Sequence, residues 1–331
     1  MTRHTVINTA MAWRFCFCWL SALVALPLLA QTKPVSVIFV GDVKLTDLPG
    51  KRIAQGHNPF APFAPVLNAN DIRIANLECV VSTLGKAEDK PFTFRAHPRT
   101  LPLLKQHFDL VSLANNHTGD FGVGAFSQML DLLQKRGLPY VGGGRDLRQA
   151  HQPVLFERQG VKIAFLAYNE FFPRSFEANT DKPGSAWSDD EQVVFDIQQA
   201  RRQWGADVVI PFMHWGVEDE LFATSRQQQL ARLMLDAGAD AVVGSHPHVA
   251  QNTEIYRGKP IVYSLGNFVF DTYRSLEHTT GWALALSVDK KGVAGARIHE
   301  ARIDNNGTPH PKRREPLLCW QRGESAMTDC R

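Results

Sequence analysis

The stretch Val35-Ser36-Val37-Ile38-Phe39-Val40-Gly41-Asp42 decides the fold, because an apolar, β-branched run ends there abruptly in a glycine and a carboxylate. Four later runs end in a similar way. Asp71–Ala75 leads into Asn76-Leu77-Glu78, and Asp109–Leu113 leads toward Asn115-Asn116-His117. Val208–Phe212 precedes His214 in Met-His-Trp-Gly, and Ala241–Val243 precedes His246-Pro247-His248. Short apolar runs bounded by polar turns read as buried strands. In an open α/β sheet, side chains just past the carboxyl ends of the strands meet in one crevice. The pattern therefore predicts an α/β fold in which residues far apart in sequence ring a single site.

Helix-like stretches lie between these runs. Pro98–His107 presents Leu101, Leu103 and Leu104, while Gly124–Arg136 carries Phe126, Met129, Leu130 and Leu133 at helical spacing before Gly137 stops it. Asp190–Trp204 and Thr224–Ala237 alternate with the later strands. Arg158-Gln159-Gly160 marks a hairpin, and Asp289-Lys290-Lys291-Gly292 marks another. No linker divides the motif-bearing region, so one domain is expected over residues 34–310, with a polar, peripheral tail at 311–331.

Composition narrows the function classes. Hydrophobic content of 44% and charged content of 21% suit an ordinary globular protein, and the formal charge is only +3. Without a basic arm or a Lys/Arg stripe, nucleic acid is not an expected partner. Arg14 precedes the apolar run Phe15–Ala30, shorter than the roughly 20 residues of a spanning helix and closed by a small residue. Residues 1–30 are read as a secretory signal peptide, with an uncleaved anchor as the alternative. That address places the rest of the chain across the inner membrane, in the periplasm or cell envelope. In such an oxidising compartment Cys319 and Cys330 are close enough in sequence to pair, whereas Cys79 reads as a small buried residue beside Glu78.

The strand-end residues are of metal-binding types. Asp42 and Glu78 bring negative charge, Asn116 an amide oxygen, and His214, His246 and His248 imidazoles; such groups bind hard and borderline divalent ions. A pair of ions 3.5–4 Å apart can clamp a phosphoryl group and activate water. Each residue alone also fits a turn, a cap or a satisfied histidine; all of them at strand exits favour a metal site. Arg95 could fork onto a phosphate or carboxylate, or form a surface salt bridge. Asp120 could orient His117 or cap the following helix. Asn115 and Asn267 could contact substrate or shape turns.

In order, the motifs Gly-Asp-Val, Asn-Leu-Glu, Phe-Thr-Phe-Arg-Ala, Leu-Ala-Asn-Asn-His, Met-His-Trp-Gly, Gly-Ser-His-Pro-His and Tyr-Ser-Leu-Gly-Asn-Phe-Val-Phe-Asp resemble those of CapA-type capsule and poly-gamma-glutamate synthesis proteins. That family is similar in fold to the calcineurin-like metallophosphoesterases, and the resemblance spans about residues 36–271. It implies a four-layer α/β/β/α sandwich of two mixed sheets. It also implies roles: Asp42 as the first metal-binding Asp, Glu78 as the bridging carboxylate and Asn116 as the Asn ligand. His214 and His246 would serve one ion and His248 the other, with His117 as proton donor beside them.

Two departures stand out. Lys44 occupies the place of the His in the superfamily's Asp-x-His, which leaves one metal position short of a ligand, and the bridging group is Glu instead of Asp. The resemblance implies an envelope protein of capsule or poly-gamma-glutamate-type polymer biosynthesis with a divalent-metal hydrolase site holding one or two Mn, Fe or Zn ions. It implies an anionic polymer or phosphate-bearing substrate and membrane-bound polymer synthesis machinery as a partner. A non-catalytic polymer-binding or assembly component, or a general metal-dependent phosphoesterase, are the alternatives.

Overall fold

The strands sort into two main mixed sheets in a computed structural model that describes residues 33–272, 275–312 and 315–330, besides Met1, Thr2 and Thr5. The apolar run read as a signal peptide lies outside the described residues. In the first sheet the central strand Val35–Val43 pairs in parallel with Ile72–Leu77, which is followed outward by Leu110–Ser112 and Tyr140–Val141. On its other side the strand pairs antiparallel with Thr280–Asp289, which turns back into Gly292–Ile303. The second sheet sets Val161–Asn169, Val208–His214, Val242–Ser245 and Lys259–Val262 in parallel. Antiparallel edge strands, Val154–Arg158 and Thr253–Tyr256, close its two sides.

Alternation along the strands explains what each face buries. Val37 and Phe39 point with Ile74, Phe165, Ile210, Phe212, Leu284 and Leu286 into one apolar cluster shared by both sheets. Phe39 sits at its centre, edge-on to Phe165 at 6.0 Å and to Phe212 at 5.5 Å. The opposite faces pack on helices. Ile38, Val40 and Ala75 meet Phe126, Met129, Leu130 and Leu133 of the helix Gly122–Lys135. Ala164, Leu166 and Tyr168 meet Val193 and Ile197 of the helix Asp190–Arg202 and Leu230 and Met234 of Ser225–Ala237. The last helix begins with a capping box in which the Thr224 side chain accepts from the Gln227 backbone N–H and the Gln227 side chain accepts in return.

The polar stretch after residue 311 is woven into the first sheet. Leu318–Gln321 pairs with Gly292–Ile303, and Trp320 is fully buried in the cluster between the sheets. The Cys319–Cys330 disulfide ties the following strand Thr328–Asp329 against it. The short apolar run Leu317–Trp320 inside this otherwise polar stretch pairs at the sheet edge, with Leu318 and Met327 also packed against the cluster.

Register then positions the site. The central strand carries an irregularity between Val40 and Asp42, after which Asp42 lies level with Asn76 on one side and Asn267 on the other. Gly41 is required there, because a Cβ would stand 1.8 Å from the Gly266 carbonyl oxygen. In the second sheet His214 lies level with Ser245. Replacing Phe39 by Ala is expected to cost about 3–5 kcal/mol, as for other buried aromatics. Urea denaturation would read this as a lowered midpoint, and an unchanged midpoint would show that the inter-sheet cluster does not hold the sheets together.

Candidate metal centre

Asp42, Glu78, His214, His246 and His248 are all buried, and backbone geometry brings them to one place. Asp42 and His214 extend from strand ends. Glu78 leaves the sheet one residue after the strand Ile72–Leu77, and its N–H donates to the Val43 carbonyl. His246 and His248 flank Pro247 with φ angles of 101° and 60°, in the left-handed region that non-glycine residues avoid. That turn aims both imidazoles inward at a conformational cost, and such cost is typically found where function needs it.

Hydrogen bonds fix most of these groups. Asp42 accepts from Asn76 Nδ2 at 2.8 Å and from the His246 N–H at 3.3 Å. Asn76 and Ser245 Oγ lie 3.1 and 3.2 Å from His214 Nδ1, while Asn116 Oδ1 lies 2.8 Å from its Nε2. Asn267 Oδ1 is 2.9 Å from His248 Nδ1. Each of these partners orients a ligand-type ring, as outer-sphere groups do around metals.

Three atoms are left over. Both carboxylate oxygens of Glu78 and Nε2 of His246 are buried without a hydrogen-bond partner among the described residues. The approaches of His214 Nε2 and His248 Nε2 to Glu78 Oε1, at 3.8 and 3.9 Å, are too long for hydrogen bonds. Ligand atoms of Glu78, His246 and His248 lie within 4.8 Å of one another. Stranded buried acceptors are costly, and a divalent cation at their common focus satisfies all of them. The residues present fit such an ion.

The electrostatics agree. Burial, reinforced by the Asp42 charge, raises the Glu78 pKa well above the ordinary carboxylate range. Burial lowers those of His214 and His246 well below the usual imidazole value, helped by the neighbouring histidines, so both rings stay neutral and ready to ligate. For His248 burial also opposes the charge, but Glu78 and Asp42 prevail and lift it to about 9. The buried acids thus favour a positive charge on His248.

His117 stands beside this cluster. Its Nδ1 lies 2.7 Å from Asp120 Oδ2, and its ring stacks on Phe94 at 4.0 Å. Burial lowers its pKa despite Asp120. Asp120 also accepts from the Phe94 N–H at 2.6 Å and pairs with Lys90, whose Nζ donates to the Asn116 carbonyl at 2.8 Å. Asp120 therefore orients His117 and is not a helix cap, for the helix begins at Gly122 without a side-chain cap.

Other sequence candidates have different work. Arg95 donates from one guanidinium nitrogen to the Leu84 and Gly85 carbonyls at 3.0 Å and covers the Phe121 ring, so it anchors a loop. Asn115 is consumed by Asn76, the Leu77 carbonyl and the His117 N–H, which makes it a brace of the site wall. Asn267 gives its amide to the His248 and His278 carbonyls while orienting His248. Lys44 is buried beside the site; Asp271 lies 2.7 Å away and Asp47 3.0 Å, with the Phe94 and Phe270 rings over its ammonium. Sequence reading assigned no role to Asn76, Ser245, Lys90 or Phe94. Asn76 was the most discoverable, since it shares a strand face with Glu78 two residues on.

Residues 36–272 match the family model described as "Bacterial capsule synthesis protein PGA_cap". The PGA biosynthesis protein CapA of Bacillus subtilis (strain 168) is 34% identical over 290 residues, covering 86% of this chain and 75% of that protein. The capsule biosynthesis protein CapA of Bacillus anthracis is 31% identical over 254 residues, covering 73% of this chain and 61% of that protein. Among solved structures, a hypothetical protein from Thermus thermophilus superposes with a TM-score of 0.52 at 20% identity, over 80% of this chain and 98% of that one. That last likeness is one of fold.

A cation must displace the His248 proton, so metal uptake depends on pH. With His248 protonated below about 9, apparent metal affinity is expected to rise with pH through 7 and 8 and level off near 9. The slope should approach about tenfold per pH unit for one displaced proton. Calorimetric Mn²⁺ titrations at several pH values would measure this, and a flat profile would count against ligation by His248.

Proposed function

The chain belongs to the bacterial capsule synthesis protein family PGA_cap, and we propose that its part in capsule or poly-gamma-glutamate-type polymer synthesis is metal-assisted hydrolysis or transfer at a phosphoryl or amide centre. Its architecture is read as a four-layer α/β/β/α sandwich of the metallophosphoesterase type. The single observation that carries the reading is the focus of unpartnered buried atoms from Glu78 and His246, with the His117–Asp120 pair alongside. Asp42, Glu78, Asn116, His214, His246 and His248 would hold one or two Mn, Fe or Zn ions. Such ions, when bound, polarise the reacting centre and make water nucleophilic at neutral pH.

The protein's own groups do the rest. Asp120 holds the proton on His117 Nδ1, which leaves Nε2 to take a proton from the attacking group and return it to the leaving group. Stacking on Phe94 keeps that ring in plane, and Lys90 restrains the backbone of Asn116. The substrate is an anionic polymer or a phosphate-bearing intermediate of its synthesis, reached in the cell envelope alongside membrane-bound machinery. No helix among the described residues is long and apolar enough to cross a membrane.

Lys44 favours a second reading. A caged lysine stands where Asp-x-His sites have a ligand, so the fold could serve as a non-catalytic polymer-binding component. Metal analysis separates the two. Wild-type protein should hold at least one ion per chain, and Glu78→Gln and His246→Ala, which remove direct ligand atoms, should each weaken binding by at least the roughly 10–100-fold that losing an outer-sphere partner costs. Less than one ion in the wild type would overturn the metal-centre reading. His117→Asn should keep the metal yet lower Mn²⁺-supported phosphodiester hydrolysis by about 10²–10⁴-fold. Full activity in that variant would remove His117 from the mechanism.

A further inference from the structure

A second polar device lies on the outer, helical side of the second sheet, where Tyr168 packs with Val193 and Ile197. Asp196, in the helix Asp190–Arg202, is buried, and three donors surround it. His151 Nδ1 lies 2.7 Å from its Oδ2, the Tyr168 hydroxyl donates to the same oxygen at 3.0 Å, and Gln192 Nε2 donates to Oδ1 at 2.7 Å. The carboxylate holds the imidazole in place. Nδ1 of His151 is thereby engaged, Nε2 has no hydrogen-bond partner among the described residues, and the residue lines a cleft of about 470 Å³.

The cleft walls have a definite chemistry. Arg148 stands on one side and forms no ion pair among the described residues, while Asp146 uses its carboxylate to cap the Gln149 N–H at 2.7 Å. Gln199 and Gln203 supply amides, and Phe195 and Trp204 supply flat apolar surface, with Phe195 56% exposed. A guanidinium recognises a carboxylate through paired donors, and an imidazole nitrogen adds a third contact. Amide side chains match peptide-like links, and aromatic faces match the methylenes between them.

We propose that this cleft is an accessory binding site for an amide-linked chain bearing carboxylates, one that grips the polymer remote from the reacting centre. The inference rests on the capsule-polymer reading above and gives that reading a means of holding a long substrate. One carboxylate would sit on Arg148 and His151, its neighbouring amide on Gln199 or Gln203, and its methylenes over Phe195 and Trp204.

The test is calorimetric titration of the metal-loaded chain with a poly-γ-glutamate oligomer and with polyacrylate of equal charge. Arg148 is exposed, so Arg148→Ala carries little folding risk, and His151→Gln is a second variant. Both should weaken oligomer binding at least tenfold, whereas His246→Ala, altered only at the metal centre, should bind as the wild type does. Equal binding by wild type and Arg148→Ala overturns the inference, as does absence of binding by the wild type. Polyacrylate binding as tightly as the oligomer would reduce the cleft to a general anion patch and overturn its assigned chemistry. Loss of binding in His246→Ala alone would place the polymer at the metal centre, leaving the functional reading intact while removing the accessory site. Metal content, measured separately, judges the functional reading itself.

Discussion

Two carboxylates buried side by side, with too little fixed positive charge around them, are the constraint on which the rest of this structure depends. Asp42 finds donors in Asn76 and in the His246 backbone, but Glu78 finds none, and both its oxygens lie beyond the reach of water. Leaving an ionised carboxylate buried and unpaired is costly, and the group responds by taking up a proton or by binding a cation. The neutral His214 and His246 rings beside it favour the cation. The bulge at Gly41, the left-handed turn through His246 and His248, and the asparagine bridges between strands all bring more donor atoms to that one point.

The sheets supply the precision this arrangement needs. Asp42 and Asn76 project from neighbouring strands of one sheet, and His214 and Ser245 from neighbouring strands of the other. Their relative placement is thus set by backbone ladders and by the Phe39 cluster that joins the sheets, not by loops. Loops carry the more adaptable parts, such as Lys90. That residue reaches Asp120 and the Asn116 carbonyl from a segment without regular structure.

Much of this was legible in the sequence because the strands announce themselves. A β-branched run that stops at a polar residue has few other interpretations, and five of them in one chain located Asp42, Glu78, Asn116, His214, His246 and His248. What remained hidden has two physical causes. Arg95, Asn115 and Asn267 have hydrogen-bonding groups whose partners are set by tertiary neighbours, so their type in the sequence does not say which protein groups they hold. Trp320 is the other kind: it ends the short apolar run Leu317-Leu318-Cys319-Trp320, and that run inside a polar tail does not reveal that it pairs at the sheet edge and fills a place between the sheets. Lys44 belongs with the first group. Its buried charge becomes intelligible only beside Asp271, which lies far along the chain.

Trp320 also bears on the order in which the molecule can be assembled. The apolar cluster between the sheets contains residues from Val35 to Trp320, so the core closes only when segments far apart in the sequence meet. Contacts between such distant segments form late, because a long loop must close before they are made. The Cys319–Cys330 bond lies beside the strand that carries Trp320, and it holds that edge of the sheet in place once the core has closed.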